Sequence, residues 1–387
     1  MKIKEIRHLS VQMRGNIANA VVNFSEHTIS LVAVITDVVK NGRPVCGIAF
    51  DSIGRFAQGG IIEERMIPRL MRADQDSLMA DDGGFDCAKV FSCIMRNEKP
   101  GGHGDRAAAA GAVELAFWDL NAKLRDEPAY VTIARAFKRD AVTTGLPVYA
   151  AGGYYYPEDG TERLKQELQG YKDMGYTAYK MKIGGASLRE DMARIEAALA
   201  VAGSGANLAV DANGRFSLAQ AKEYAAAITP YALRWYEEIG DPLDFELNRE
   251  IAETYDGPVA TGENLFSRED VRNLIRYGGM RKNKDLFQMD PGLSYGLTVF
   301  GDMVAMVEAA GFARSFIYPH GGHLINLHIA TALGLGGCEA YPGVFEPFGG
   351  YSDECRVIDG RIHPGESAGF GIEAKKELQP SVREILS

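Results

Sequence analysis

Little in this sequence could form a covalent or thiolate scaffold. Its five cysteines, Cys46, Cys87, Cys93, Cys338 and Cys355, are odd in number and include no CxxC pair. That spacing gives no sign of a disulfide framework or a zinc ribbon and predicts reduced, mostly buried thiols in a cytoplasmic protein. A surplus of positive charge is also missing. The formal net charge is −10, which argues against a nucleic-acid partner because no basic excess is available to displace counterions. A small anionic substrate stays compatible, since a metal and a few lysines can make one pocket positive inside an acidic protein. No run of about 18 apolar residues occurs, so no membrane span is expected. The opening MKIKEIRHLSVQM lacks the apolar run of a signal peptide.

What remains is ample for a large core. Hydrophobic residues make up 46% of the 387 positions, and a chain of this length suggests two domains or a barrel with additions. IKEIRHLSVQM and ISLVAVITDVV are rich in β-branched residues and read as strands of an antiparallel sheet. From Asp105 to about Arg125, Val113, Phe117, Leu120 and Leu124 fall at helical steps. They predict one apolar stripe, with Asp105 as N-cap. An α+β domain is therefore expected over residues 1–130.

Beyond it, over residues 140–342, short apolar strands alternate with helical stretches. PVYAAGG, AYKMKIG, LAVDANG, RWYEEIG, PVATGEN, LFQMDPG, SFIYPHG and the segment around GGCEAYP are the strand candidates. Helical stretches such as 187–202, with Met192, Ile195 and Leu199 on one face, follow the first seven. Eight parallel strands so linked predict an α/β fold of the (β/α)7β TIM type rather than an open sheet. The eighth unit has no clear helix. Residues 343–387 are expected to return to the first domain.

The chemistry lies at the ends of those strands. They carry Lys180 and Lys182, then Asp211, Glu237, Glu263, Asp290, His320 and Glu339, at intervals close to one βα unit. In a barrel, such positions ring one mouth. Three neighbouring carboxylates, Asp211, Glu237 and Glu263, would repel strongly unless a cation neutralises them. Oxygen donors without cysteine suit Mg²⁺, with Mn²⁺ able to substitute. Glu237 is preferred to Glu238 because only one of two adjacent strand residues points inward, and Glu238 is left as a supporting or ion-pairing group. Lys180 and Lys182 share one face of their strand, so each ammonium makes the other harder to protonate. Lys182 can then act as a base. On the far side, Asp290 behind His320 would fix its tautomer and raise its basicity. This is a layout for taking a proton from the carbon α to a carboxylate, with the metal stabilising the enediolate.

With those residues placed, the chain resembles the enolase superfamily, in its mandelate racemase-like branch, over nearly its whole length. A Lys or His base with Mg²⁺ is that family's known chemistry. The resemblance implies an N-terminal capping domain completed by the C-terminal tail. NEKPGGHGDR, YAAGGYYYP, KMKIGGA, LAVDANGRF, WYEEIGDPLD, ATGENLFS, LSYGL and PHGGH are further similar to the D-tartrate dehydratases of that branch. By that resemblance Lys182 takes the C2 proton of D-tartrate and His320 protonates the departing 3-hydroxyl, giving oxaloacetate. Lys180 would contact the substrate carboxylate and depress the pKa of Lys182. Glu339 would donate a hydrogen bond to a carboxylate oxygen, and Asn213 would help to orient it. Lys99, in the Gly-rich loop KPGGHG, is expected to close over the mouth and bind the second carboxylate. A homo-oligomer is also implied. Pro291–Gly292, beside the dyad, departs from the dehydratase pattern and could alter substrate shape.

Other signals are weaker. GHGDRA (102–107) matches a phosphate-binding fingerprint but follows NEKP instead of an apolar strand. His320, His323 and His328 could suggest zinc, yet HGGH falls on a strand-to-loop segment, and His323 and His328 read as locally bonded. Tyr154, Tyr155 and Tyr156 could line the pocket or pack under the cap. Two competing enzyme classes use the same residues: a racemase or epimerase, and a dehydratase of longer acid sugars. A non-enzymatic binding protein is the remaining alternative.

Overall fold

The computed structural model describes residues 1–156 and 160–387. The N-terminal part is a three-stranded antiparallel sheet in the order β1 (Ile3–Gln12), β2 (Thr28–Lys40), β3 (Arg43–Phe50). Asn41 and Gly42, at φ 50° and 73°, join β2 to β3, the left-handed pair that a two-residue hairpin turn requires. β3 was not among the expected strands.

The predicted helix runs Asp105–Leu124. Gly104, not Asp105, is its N-cap, and Asp105 begins the first turn. The single apolar stripe is also corrected. Ala107 to Ala122 are buried all round, because the helix lies between the N-terminal sheet and the barrel. A Cβ on Gly47 of β3 would sit 2.1 Å from the carbonyl oxygen of Ala116, and one on Gly111 would sit 2.5 Å from that of Gly292. Small residues let both neighbours approach.

The second sheet is parallel and curled, ordered β10 (Cys338–Ala340), β4 (Leu146–Ala151), β5 (Tyr179–Lys182), β6 (Leu208–Asp211), β7 (Tyr236–Glu237), β8 (Val259–Thr261), β9 (Leu286–Phe287). Helices follow each of β4 to β9 in the chain. The (β/α) barrel expected from the sequence is the observed architecture. One element differs: SFIYPHG forms no strand of its own. Its Ile317 makes a single parallel bridge with Phe287. The backbone nonetheless closes the ring, since Tyr318 N donates to Phe287 O at 2.9 Å and Gly336 N donates to Ile317 O at 3.1 Å. A helix at Leu324–Leu333 follows.

Local sequence explains the helix starts. Ser187 with Glu190 and Ser217 with Gln220 each form a reciprocal capping box, which satisfies two otherwise orphaned amides. In the helix Leu188–Ala202, Ile195 is buried while Met192 and Leu199 are half-buried. After β10 the chain adds β11 (Arg361–Ile362), antiparallel to β4. It then reaches the N-terminal sheet, where Arg7 Nη1 donates to Ile385 O at 3.0 Å. Asp119 joins these parts, accepting from Ile48 N and Phe370 N, both at 2.7 Å. All five cysteines are free thiols, with Cys87, Cys93 and Cys338 buried. Among the described residues, no helix is long and apolar enough to cross a membrane.

Candidate active site

Barrel register lines up Lys182, Asp211 and Glu237. Lys182 pairs with Asp211 across β5 and β6, and Asp211 with Glu237 across β6 and β7. The partner of Glu237 on β8 is Ala260, so Glu263 lies beyond the strand, in the turn that follows. Even so, one oxygen from each of Asp211, Glu237 and Glu263 falls within 4.8 Å of the others, and among the described residues this is the one such cluster. Asp211 and Glu237 are buried and Glu263 is half-buried.

The donor set fits a hard cation. Glu263 Oε2 is buried with no hydrogen-bond partner, the nearest cation being His320 Nε2 at 3.7 Å, beyond hydrogen-bond reach, so the oxygen stays unsatisfied unless a ligand meets it. Charge points the same way. Among the described residues, Asp211, Glu237, Glu238, Glu263, Asp290 and Glu339 have only Lys180, Lys182 and His320 as cations within ion-pair distance. Burial pushes the Glu237 carboxyl up to about 8, with Asp211, Glu263 and Glu339 adding to the rise against the pull of Lys180. Burial and the nearby Glu263 also hold Glu238 well above the usual carboxylate range.

Two lysines enter from β5. Lys182 Nζ donates to Asp211 Oδ2 at 2.6 Å and lies 5.4 Å from the centre of the Tyr154 ring. Lys180 Nζ contacts Glu237 Oε1, and lies 2.7 Å from Glu339 Oε1 and 3.5 Å from Asp211 Oδ2. Burial opposes its charge, but Glu237 and Glu339 outweigh that and keep it protonated. Glu339 is held down to about 2 despite burial, chiefly by Lys180. It therefore accepts hydrogen bonds here, one of them from Gly321 N at 3.0 Å.

Across the mouth, His320 Nδ1 lies 2.9 Å from Asp290 Oδ2, and His320 Nε2 lies 3.7 Å from Glu263 Oε2. Burial would lower its pKa, but Glu263, Asp290 and Glu339 together raise it to about 10. Asn213 is bonded to Asp211, through its backbone N at 2.8 Å and its Nδ2 at 3.3 Å, while its buried Oδ1 has no partner. Lys99 is exposed and makes no contact with this cluster among the described residues. Its loop is fixed from below: Arg106 Nη1 donates to Lys99 O at 2.8 Å, and Arg106 Nε and His103 both bond the Tyr295 hydroxyl, in the turn after Asp290.

Several residues of the site gave no signal in the sequence. Tyr341 OH lies 3.0 Å from His320 Nε2. Trp235 Nε1 and Gln288 Nε2 donate to Glu237 Oε2 at 2.6 and 2.8 Å. Arg55 donates to Asn264 at 3.1 Å, and Asn264 donates to Glu238 at 2.7 Å. Tyr154 packs with Phe24 and Phe345 at 6.4 and 5.7 Å between ring centres, so it both lines the site and packs under the N-terminal part. Tyr155 and Tyr156 instead bond Asp191 and Glu167. His323 meets Asn326 N within its own helix start, but it also bonds Ser52, and His328 accepts from Tyr130 N, so both reach partners far away in the sequence instead of being bonded only locally as expected.

A barrel whose mouth joins a carboxylate triad to a lysine on one side and a histidine dyad on the other defines a class of acid–base proteins. The comparisons give the family. A family model described as Enolase C-terminal domain-like matches residues 163–378, more than half of the chain, and the chain belongs to that family, within the enolase superfamily. It is 25% identical over 337 residues to an arabinonate dehydratase of Saccharolobus solfataricus, covering 86% of this chain and 85% of the relative. It is 24% identical to the L-talarate/galactarate dehydratase of Salmonella typhimurium, covering 90% and 82%. Its fold is similar to that of a racemase from Streptomyces coelicolor A3(2) with bound magnesium, at a TM-score of 0.78 and 23% identity, covering 99% of both chains.

Proposed function

We propose that this protein catalyses the Mg²⁺-dependent dehydration of a small hydroxy diacid, with D-tartrate, giving oxaloacetate, as the substrate expected first. The observation that carries the reading is that a lysine and a histidine touch the carboxylate triad from opposite sides. Lys182 Nζ is 2.6 Å from Asp211 and His320 Nε2 is 3.7 Å from Glu263. A substrate carboxylate held at the triad would therefore have its α carbon between a base and an acid. Dehydratase relatives and the magnesium-bound fold neighbour support the same chemistry.

Asp211, Glu237 and Glu263 are the Mg²⁺ ligands in this reading. When bound, the ion supplies electrostatic stabilisation of the enediolate and orients the carboxylate. Lys182 takes the C2 proton, and the C–H electron pair becomes the enediolate. That pair then forms the C2–C3 double bond as the C3–O bond breaks. His320 gives its proton to the departing hydroxyl, which leaves as water, and the enol ketonises. Asp290 holds the His320 tautomer. Lys180, protonated, orients the substrate carboxylate, with Asn213 assisting and Glu339 fixing Lys180. Lys99 is assigned the second carboxylate, with half-buried Arg55 a further cation at the rim. The aromatic group Phe24, Tyr154, Phe345 and Tyr341 favours a short substrate. A homo-oligomer belongs to the same proposal.

Incubating the protein and Mg²⁺ with mono- and diacid sugars, including D-tartrate, arabinonate and galactarate, tests this by semicarbazide trapping of a keto acid. Turnover confined to longer acid sugars would move the substrate. Deuterated substrate recovered from D₂O with no keto acid would make the protein a racemase or epimerase instead.

A further inference from the structure

The side of the His320–Asp290 pair that faces away from the triad is as fully bonded as the triad side. Asp290 Oδ2 serves His320, while Asp290 Oδ1 accepts from Gly292 N at 2.8 Å and from Asn326 Nδ2 at 3.1 Å. The same amide also bonds the backbone carbonyl of His320. One side chain thus grips both members of the pair, through the two hydrogens of a single NH₂ group. Asn326 is buried in the first turn of the helix Leu324–Leu333. Its backbone N faces Nδ1 of His323 at 3.5 Å, and His323 Nε2 meets Ser52 Oγ at 3.0 Å. Ser52 follows β3, in the N-terminal part.

These groups converge on one residue. Gly321 has φ +115°, and a Cβ there would lie 2.5 Å from Ser52 Oγ, 2.7 Å from Asn326 Nδ2 and 2.8 Å from Asp290 Oδ2. No side chain can enter, so Ser52, Asn326 and Asp290 stay packed together. With both oxygens of Asp290 engaged, neither can rotate away from His320 without breaking a buried bond.

We propose that Asn326 is the positioning residue of the proton-donating pair, and that Ser52 and His323 tie its hold to the loop leaving the N-terminal sheet. The step it acts on, protonation of the departing hydroxyl, rests on the dehydratase reading above. Loss of Asn326 would misplace His320 while leaving Lys182 on the opposite side untouched.

The test uses the full chain with Mg²⁺ and the variants Asn326→Ala and Ser52→Ala. Asn326→Ala is expected to lower kcat for keto-acid formation by about 10–100-fold with KM changed about 2-fold or less, as for loss of a group that orients a functional histidine. Exchange of the C2 proton in D₂O should persist, so the ratio of exchange to dehydration rises. A merely structural role would lower both together and leave the ratio unchanged, which overturns the proposal. A second readout needs no turnover: the low-field Nδ1 proton of His320, identified by its absence in His320→Asn, should shift or broaden in Asn326→Ala. An unchanged resonance also overturns it. If the unmodified protein forms no keto acid from any acid tried, the dehydratase reading fails, and the resonance still decides the role of Asn326. Should Asn326→Ala not fold, Asn326→Ser and Ser52→Ala carry the same two readouts, and no change in either variant is the overturning result.

Discussion

Replacing His320 by Asn removes the proposed proton donor but leaves Lys182 Nζ beside Asp211, 2.6 Å away. Keto-acid formation should then fall by about 10²–10⁴-fold, the range for loss of a general acid, while C2 deuterium exchange survives. Lys182→Ala should lose both. A His320→Asn enzyme that still dehydrates at the original rate would remove His320 from the mechanism. Lys99 makes a different kind of prediction, because its side chain is exposed and its loop is held through the backbone by Arg106. Lys99→Ala should reduce kcat/KM for a diacid by about 10–100-fold, the worth of one charged hydrogen bond, without altering the circular dichroism. Unaltered kinetics would rule its role out.

Among the elements, the helix Leu324–Leu333 carries a buried histidine that couples stability to pH. His328 lies against Tyr130 and Phe370, with ring centres 5.8 and 5.7 Å away, and accepts from Tyr130 N. Burial, aided by the nearby His363, pushes its pKa down to about 3, against about 6.5 in the unfolded chain. The unfolded chain therefore takes up this proton first as pH falls. The contribution is complete above about pH 6.5 and is lost as pH drops toward 3, at about 1.4 kcal/mol per pH unit. His328→Asn retains an acceptor for Tyr130 N but cannot titrate. Between pH 6.5 and 5, urea melts should show the variant losing about 2 kcal/mol less than the unmodified protein; parallel losses would count against this assignment. The same helix supplies Asn326, so one element links core packing to the candidate dyad.

For the whole molecule, the excess of carboxylates at the mouth makes the metal a stability determinant as well as a chemical one. Chelation with EDTA should lower the melting temperature and abolish turnover, and restored Mg²⁺ should reverse both. At a hundred times its Kd, an ion binding only the folded state adds about 2.7 kcal/mol. Asp211→Asn should blunt that response. A melting temperature indifferent to Mg²⁺ in the unmodified protein would show that the triad does not hold the ion. The N-terminal part takes part in the same unit, reaching the barrel mouth through Ser52, Arg55 and Phe24.

The sequence by itself determined the parallel barrel, because apolar strands buried on both faces alternate with capped helices. It also marked the ladder Lys180, Lys182, Asp211, Glu237, Glu263, Asp290, His320 and Glu339, since ionisable residues at strand ends in apolar runs have few structural uses. Missed elements have local causes. β3 contains Arg43, Pro44 and Gly47, so its β-branched content is low, although the Asn41–Gly42 turn was a usable signal. SFIYPHG has strand composition, but Pro319 can donate no backbone hydrogen bond and the segment makes only one bridge. Even spacing suggested equivalent ladder positions, whereas Glu263 lies past the end of β8 and reaches the triad from the turn. Pro291–Gly292, noted as a departure, proves to be where the helix Asp105–Leu124 and Ser52 approach the dyad, leaving no room for a side chain at 292. Only the tertiary structure decided which further groups complete the site. Trp235 and Gln288 saturate Glu237, Tyr341 faces His320, and Asn326 grips Asp290. Periodicity along a chain reports which way a side chain points, but not what another segment brings to meet it.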